Sequence, residues 1–171
     1  MLPHPSAEPA VLHAAIRDQF EAFLDEHRTV LHDSLNGLTD EQARRSLVAS
    51  KTTLLGLVKH ATFVEKVWFD EAITCRPRRD IGIPDSPDES FDLDDSDTIA
   101  TVQHAYRQAC AASRRATAPL TLDDLVRGNR RGPLPLPLRW VYLHTLRELA
   151  QHCGHSDILR EQILGDTTPG G

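Results

Sequence analysis

The sequence predicts an all-α protein, a four-helix bundle with a long acidic loop between its second and third helices. Three observations carry this. Four stretches of the 171 residues repeat apolar residues at spacings of three and four. No stretch alternates apolar with polar residues as a half-buried strand does. The segment from Arg76 to Asp97 holds three prolines and eight acidic residues with few apolar ones, so it reads as a surface connector.

The first helix is expected from Ala7 to about Leu35, where Val11, Ile16, Phe20, Leu24 and Leu31 share a stripe and Asn36-Gly37 ends it. Thr39-Asp-Glu-Gln42 has the form of a capping box and opens a short helix to about Arg45. A second long helix starts near Thr52 or Thr53 and stops before Pro77. The third starts between Asp95 and Thr98 and runs to about Ala118, and Thr121 to Val126 reads as one helical turn. After a Gly-, Pro- and Arg-rich connector from Arg127 to Pro137, a fourth helix spans Leu138 to Leu164, with Gly165 suited to its C-cap. The expected organisation is one domain over residues 9–165, with flexible ends at 1–8 and 166–171.

Composition narrows the function classes. At 40% hydrophobic and 26% charged residues the chain is ordinary for a globular domain. A net charge of −6 and a pI of about 5.8 argue against a nucleic-acid surface, and the basic groups Arg76–Arg79 and Arg127–Arg131 read as solvated loops. No run of about 18 apolar residues exists. Cys75, Cys110 and Cys153 are an odd number without a C-x-x-C pair, which argues against a disulfide framework and fits reduced thiols in the cytoplasm.

The chemistry concentrates in the fourth helix. His144, Glu148, His152 and His155 recur at three and four, so they share a helical face that adjoins the buried stripe. In the second helix His60 has Leu57, Val64 and Val67 on its own face and so points to the core. In a bundle, inward side chains of different helices converge, and His60, Glu148 and His152 can supply two imidazoles and a carboxylate to a divalent metal. Zinc suits this set best, and nickel, iron and manganese are compatible with it. His144 and His155 are then either supporting residues or alternative ligands. The plainer reading is a core histidine at position 60 and an i,i+4 surface pair at 148 and 152.

Thr53-Leu-Leu-Gly-Leu-Val-Lys-His60, Leu138-Arg-Trp-Val141 and Glu148-Leu-Ala-Gln-His-Cys-Gly-His-Ser-Asp-Ile-Leu-Arg-Glu161 occur in this order along the chain. Together they resemble the DinB/YfiT-like superfamily, and within it the actinobacterial branch related to mycothiol-dependent maleylpyruvate isomerases and mycothiol transferases. The resemblance implies a four-helix bundle with a divalent metal held by a histidine of helix two and two residues one turn apart on helix four. Those positions hold His60, Glu148 and His152 here. It further implies a transferase joining a low-molecular-weight thiol, mycothiol first, to an electrophile, and a homodimer. The alternative it leaves open is a non-enzymatic metal-binding or stress-response module. Neither a membrane nor a nucleic acid is an expected partner.

Overall fold

A computed structural model describes residues 11–128 and 132–165. Among the described residues the chain is all-α apart from one short strand pair. Its long helices are α1 (Ile16–Asp33), α3, α5 (Ile99–Thr117) and α6 (Leu138–Gly165), with a short α2 (Asp40–Ala43) and a short α4 (Arg78–Ile81) between them. Helix α3 covers residues 54–74 in three parts: α-helix Leu54–Lys66, a π-helical turn Val67–Glu71, and a last α turn Ala72–Thr74. The expected ends 1–8 and 166–171 lie outside the described residues.

Local chemistry sets these boundaries. Gly37 adopts φ 76° just beyond α1, a conformation that glycine takes without the usual Cβ penalty. Thr39 and Gln42 form the reciprocal capping box expected of them. Thr53 caps α3 by accepting from the Gly56 amide at 3.0 Å, and Thr98 and Thr101 form the box that opens α5. At the start of α6 the amides of Leu138 and Arg139 donate to the carbonyls of Asp124 and Leu122, both at 2.8 Å. These bonds satisfy donors that have no partner within the helix.

Four expectations need correction. Helix α1 begins at Ile16 rather than Ala7, because residues 11–14 form a tight turn closed by Ala14 N–H to Val11 O. Residues Leu125–Val126 are extended rather than helical and pair antiparallel with Leu136–Pro137, in the register Leu125 to Pro137 and Val126 to Leu136. Helix α3 is not uniform, since the π turn inserts a wider turn that places Trp68, Phe69 and Glu71 all inside. The segment between α3 and α5 is not a plain surface loop. It contains α4 and a 3₁₀ turn, Glu89–Phe91, and buries Arg78, Ile81 and Ser90.

The acidic connector folds back because its carboxylates meet lysines. Lys51 contacts Asp88 and Asp92 at 2.7 and 2.8 Å, and Lys59 on α3 contacts Asp97 at 2.6 Å. Gly56 lets the connector approach α3 closely, since a Cβ there would stand 2.9 Å from the Phe91 carbonyl oxygen.

The core lies between α1, α3, α5 and α6, with the most extensive packing between α1 and α6 and between α3 and α5. Leu24, Leu31, Leu55, Val58, Leu138, Leu149 and Ile163 are fully buried there. One charged pair lies among them. Arg28 donates from Nε and Nη2 to the two carboxylate oxygens of Glu65, each at 2.8 Å, and Glu65 is 0% exposed. Burial opposes the Arg28 charge, but the Glu65 carboxylate overcomes it and raises the guanidinium pKa.

Candidate functional site

The apolar stripe of α3 carries His60 into the interior, where it is 6% exposed. The 3₁₀ turn of the connector covers it: the Phe91 ring stacks on the imidazole with centroids 4.1 Å apart. Ser90 Oγ lies 2.6 Å from His60 Nδ1 and 2.5 Å from the Pro87 carbonyl oxygen. A carbonyl only accepts, so the single Ser90 proton goes to Pro87 and Ser90 accepts from His60 Nδ1–H. The His60 Nε2 atom is thereby left with its lone pair, the form in which an imidazole binds a metal.

Helix α6 brings His152 against this ring. The two centroids are 4.9 Å apart with planes at 84°. Both ring nitrogens of His152 are buried, and neither has a hydrogen-bond partner among the described residues. A neutral imidazole carries one donor and one acceptor, and leaving both unmade inside a protein costs about 1–3 kcal/mol per group. Burial holds the His152 pKa below its ordinary value against the pull of Glu148.

Glu148, half-buried, contacts the preceding turn of α6 and lines a cavity with His60. Its Oε1 lies 3.7 Å from His144 Nε2 and 3.5 Å from Arg147 Nη2. Arg147 Nη2 also donates to His144 Nδ1 at 2.9 Å, so the His144 proton sits on Nε2 and faces Glu148. The buried His144 ring stacks on Trp140 at 4.9 Å and meets the edge of Trp68 at 4.5 Å. His155 is exposed, with its ring 6.0 Å from that of His152. Of the five expected site residues, the structure therefore joins His60 to His152 and Glu148 to His144, and leaves His155 at the margin.

A cavity of about 370 Å³ is lined by His60, His144, Glu148, Trp68, Arg78 and Asp85 among others, a size suited to a small molecule. Ser90 and Arg78 were not expected at the site. Ser90 reaches His60 across 30 residues of sequence, and the pattern around it carries no periodic signal. Arg78 belongs to a basic group that reads as solvated, yet it is 7% exposed and bound to Glu71. Arg139, close in sequence to Trp140, is paired with Asp123.

A divalent metal finds suitable donors here, though not a closed cage. Among the described residues no group of three or more His, Cys, Asp or Glu side chains stands in a metal-holding arrangement. What fits is the donor chemistry: an Nε2 lone pair on His60, two buried and unpartnered nitrogens on His152, and a carboxylate one helical turn before His152.

The burial of His60 gives the metal-free protein a distinct acid response. Burial first, and the neighbouring His152 second, push the His60 pKa from 6.5 down to about 4. The unfolded chain takes up the proton near pH 6.5 and the folded chain only near pH 4. The His60 contribution to stability is therefore complete above pH 6.5 and falls away as pH drops towards 4, by about 3 kcal/mol. Urea midpoints measured between pH 7.5 and 4.5 will drop less in His60→Leu than in the parent; equal slopes would refute the assignment.

Comparison with known proteins adds one finding. No curated protein and no solved structure gives a significant match to the chain. The sequence model of one family, described as mycothiol-S-transferase, matches residues 19–165, a span from the first turn of α1 to the last residue of α6 that includes the helices carrying His60 and His152. The chain belongs to the mycothiol-S-transferase family.

Proposed function

We propose that the protein is a divalent-metal-dependent thiol transferase that joins mycothiol to an electrophile, with His60, Glu148 and His152 as metal ligands and zinc as the first candidate. The observation that supports this most is the pairing of His60 with a His152 ring whose nitrogens are both buried and unpartnered, beside a cavity of small-molecule size. Family membership supports the thiol and the transfer. When bound, the metal would lower the pKa of an incoming thiol and so present a thiolate at neutral pH.

The chain's own residues do the rest. Ser90 and Pro87 fix the His60 tautomer, and Phe91 and the surrounding apolar side chains shield the imidazole from water. His144, held by Arg147 and stacked on Trp140, supports the Glu148 carboxylate. Two neutral imidazoles and one carboxylate leave a divalent site with net charge +1, which favours an anionic sulfur. His155, at the solvent edge, is a supporting residue rather than a ligand in this reading.

We further read the four long helices as a bundle of the DinB/YfiT type forming one domain over residues 9–165, cytoplasmic and homodimeric. Among the described residues no helix is long and apolar enough to cross a membrane. The direct test is conjugation of mycothiol to an alkylating fluorogenic electrophile by zinc-loaded protein. The expected result is conjugate formation that is abolished by His60→Ala and His152→Ala. Absence of conjugation with mycothiol across a broad panel of electrophiles and metals would defeat the transferase reading.

A further inference from the structure

Arg76, Arg78 and Arg79 are neighbours in sequence but differ in the fold. Arg76 and Arg79 are exposed and pair with Asp70 and Asp80, whereas the Arg78 side chain is only 8% exposed. Arg78 Nε donates to the two carboxylate oxygens of Glu71 at 3.1 and 3.0 Å. Its Nη1 donates to the main-chain oxygens of Asp85 and Pro84 at 2.6 and 3.3 Å, and its guanidinium carbon lies 5.3 Å from the centre of the Phe63 ring. The remaining nitrogen, Nη2, has no hydrogen-bond partner among the described residues, while Arg78 lines the same cavity as His60 and Glu148.

A guanidinium held by its other two nitrogens offers its third with little loss of side-chain freedom. Because Glu71 balances its charge, Arg78 acts here as a fixed, directed donor. The same cavity is also lined by the apolar side chains of Phe63, Val64, Val67 and Trp68, with Asp85 beside them. An occupant of this cavity therefore combines a carbon skeleton with one acceptor oxygen. Arg78 can donate to such an oxygen in a cavity that His60 and Glu148 also line.

We propose that Arg78 Nη2 binds the carbonyl oxygen of the electrophile, and that the substrates of this site are α,β-unsaturated carbonyl compounds. This rests on the thiol-transfer reading above. The thiolate sulfur forms a bond to the β carbon, the C=C π pair shifts to the bond between the α and carbonyl carbons, and the carbonyl π pair moves onto oxygen. Arg78 faces the negative charge that develops there. The α carbon then takes a proton from water and the carbonyl re-forms, so that the net change is addition of a thiol across a double bond, with no leaving group and no oxidant.

The test compares an enone, benzylideneacetone, with benzyl chloride, which has no carbonyl, using mycothiol and zinc-loaded protein. In Arg78→Met, kcat/KM for the enone should fall about 100-fold, the scale of losing one oxyanion donor, and for benzyl chloride less than about 5-fold. Equal losses, or an enone rate that survives, would overturn the assignment. Because Arg78→Met takes the guanidinium away from the buried Glu71 carboxylate, the double variant Arg78→Met/Glu71→Leu serves as the second case and should show the same selective loss. Binding is read separately by tryptophan fluorescence, since Trp68 lines the cavity. Saturated 4-phenylbutan-2-one should bind at least about 10-fold more weakly to both variants, with butylbenzene little changed. Unaltered ketone binding refutes the Arg78 contact whatever the turnover; loss of ketone binding in a protein that conjugates neither electrophile would instead refute the transferase reading.

Discussion

Replacing Arg28 with leucine will destabilise the fold by about 3–5 kcal/mol, seen as a large drop in the urea midpoint at neutral pH. Glu65 has no exposed surface, and both of its carboxylate oxygens accept from Arg28 at 2.8 Å. Removing the guanidinium leaves an anion surrounded by core side chains such as Phe69, over whose ring the Arg28 guanidinium now lies at 5.7 Å. Such a charge must either be hydrated by opening the core or take up a proton. The reverse change, Glu65→Leu, strands a cation that Asp25 still contacts at 2.8 Å, so the loss should be smaller. The double variant Arg28→Leu/Glu65→Leu removes both desolvated charges and should recover most of the deficit. A double variant no more stable than Arg28→Leu alone would show that the pair's hydrogen-bond geometry, rather than the stranded charge, dominates.

That pair shows where sequence reading succeeds and where it stops. Arg28 follows Leu24 by four positions and precedes Leu31 by three, so its place on the apolar stripe is visible in the spacing. Its partner is not, because nothing within α1 says which residue of α3 faces it 37 positions later. The same division runs through the site. One face of α6 shows in the pattern from His144 to His155, and the core-facing direction of His60 shows in its neighbours at three, four and seven. Spacing does not show that Glu148 meets His144 and Arg147 while His152 meets His60, since that depends on side-chain directions and on the crossing of α3 with α6. The π turn at Val67–Glu71 is equally hidden: with Val67, Trp68 and Phe69 apolar in succession, one extra residue in the turn leaves the stripe looking continuous. Arg78 is hidden because the carboxylate that buries it is seven residues away across a helix end. Helices and their caps are local and therefore legible; a buried charge is a property of two elements at once.

His152→Ala will abolish metal-dependent stabilisation while leaving the metal-free fold nearly as stable as the parent. The two effects have different origins. In the metal-free protein the His152 nitrogens are buried and make no hydrogen bond among the described residues, so truncating the ring removes two unsatisfied polar atoms along with its packing against His60. Relief of the polar penalty and loss of packing oppose each other, and the net change should lie within about 1 kcal/mol. When metal binds the folded chain and not the unfolded one, stabilisation grows with the logarithm of metal concentration over the dissociation constant. Loss of a residue that only orients a ligand weakens metal binding about 10–100-fold, and loss of a direct ligand should exceed that. The measurement is a pair of thermal melts with and without zinc, together with zinc content by elemental analysis after dialysis against a weak chelator. The parent should gain stability and retain zinc, whereas His152→Ala should do neither. His155→Ala, outside the proposed ligand set, should behave as the parent does. If zinc raises the melting temperature of His152→Ala as much as that of the parent, the unpartnered nitrogens of His152 are not there to receive a metal.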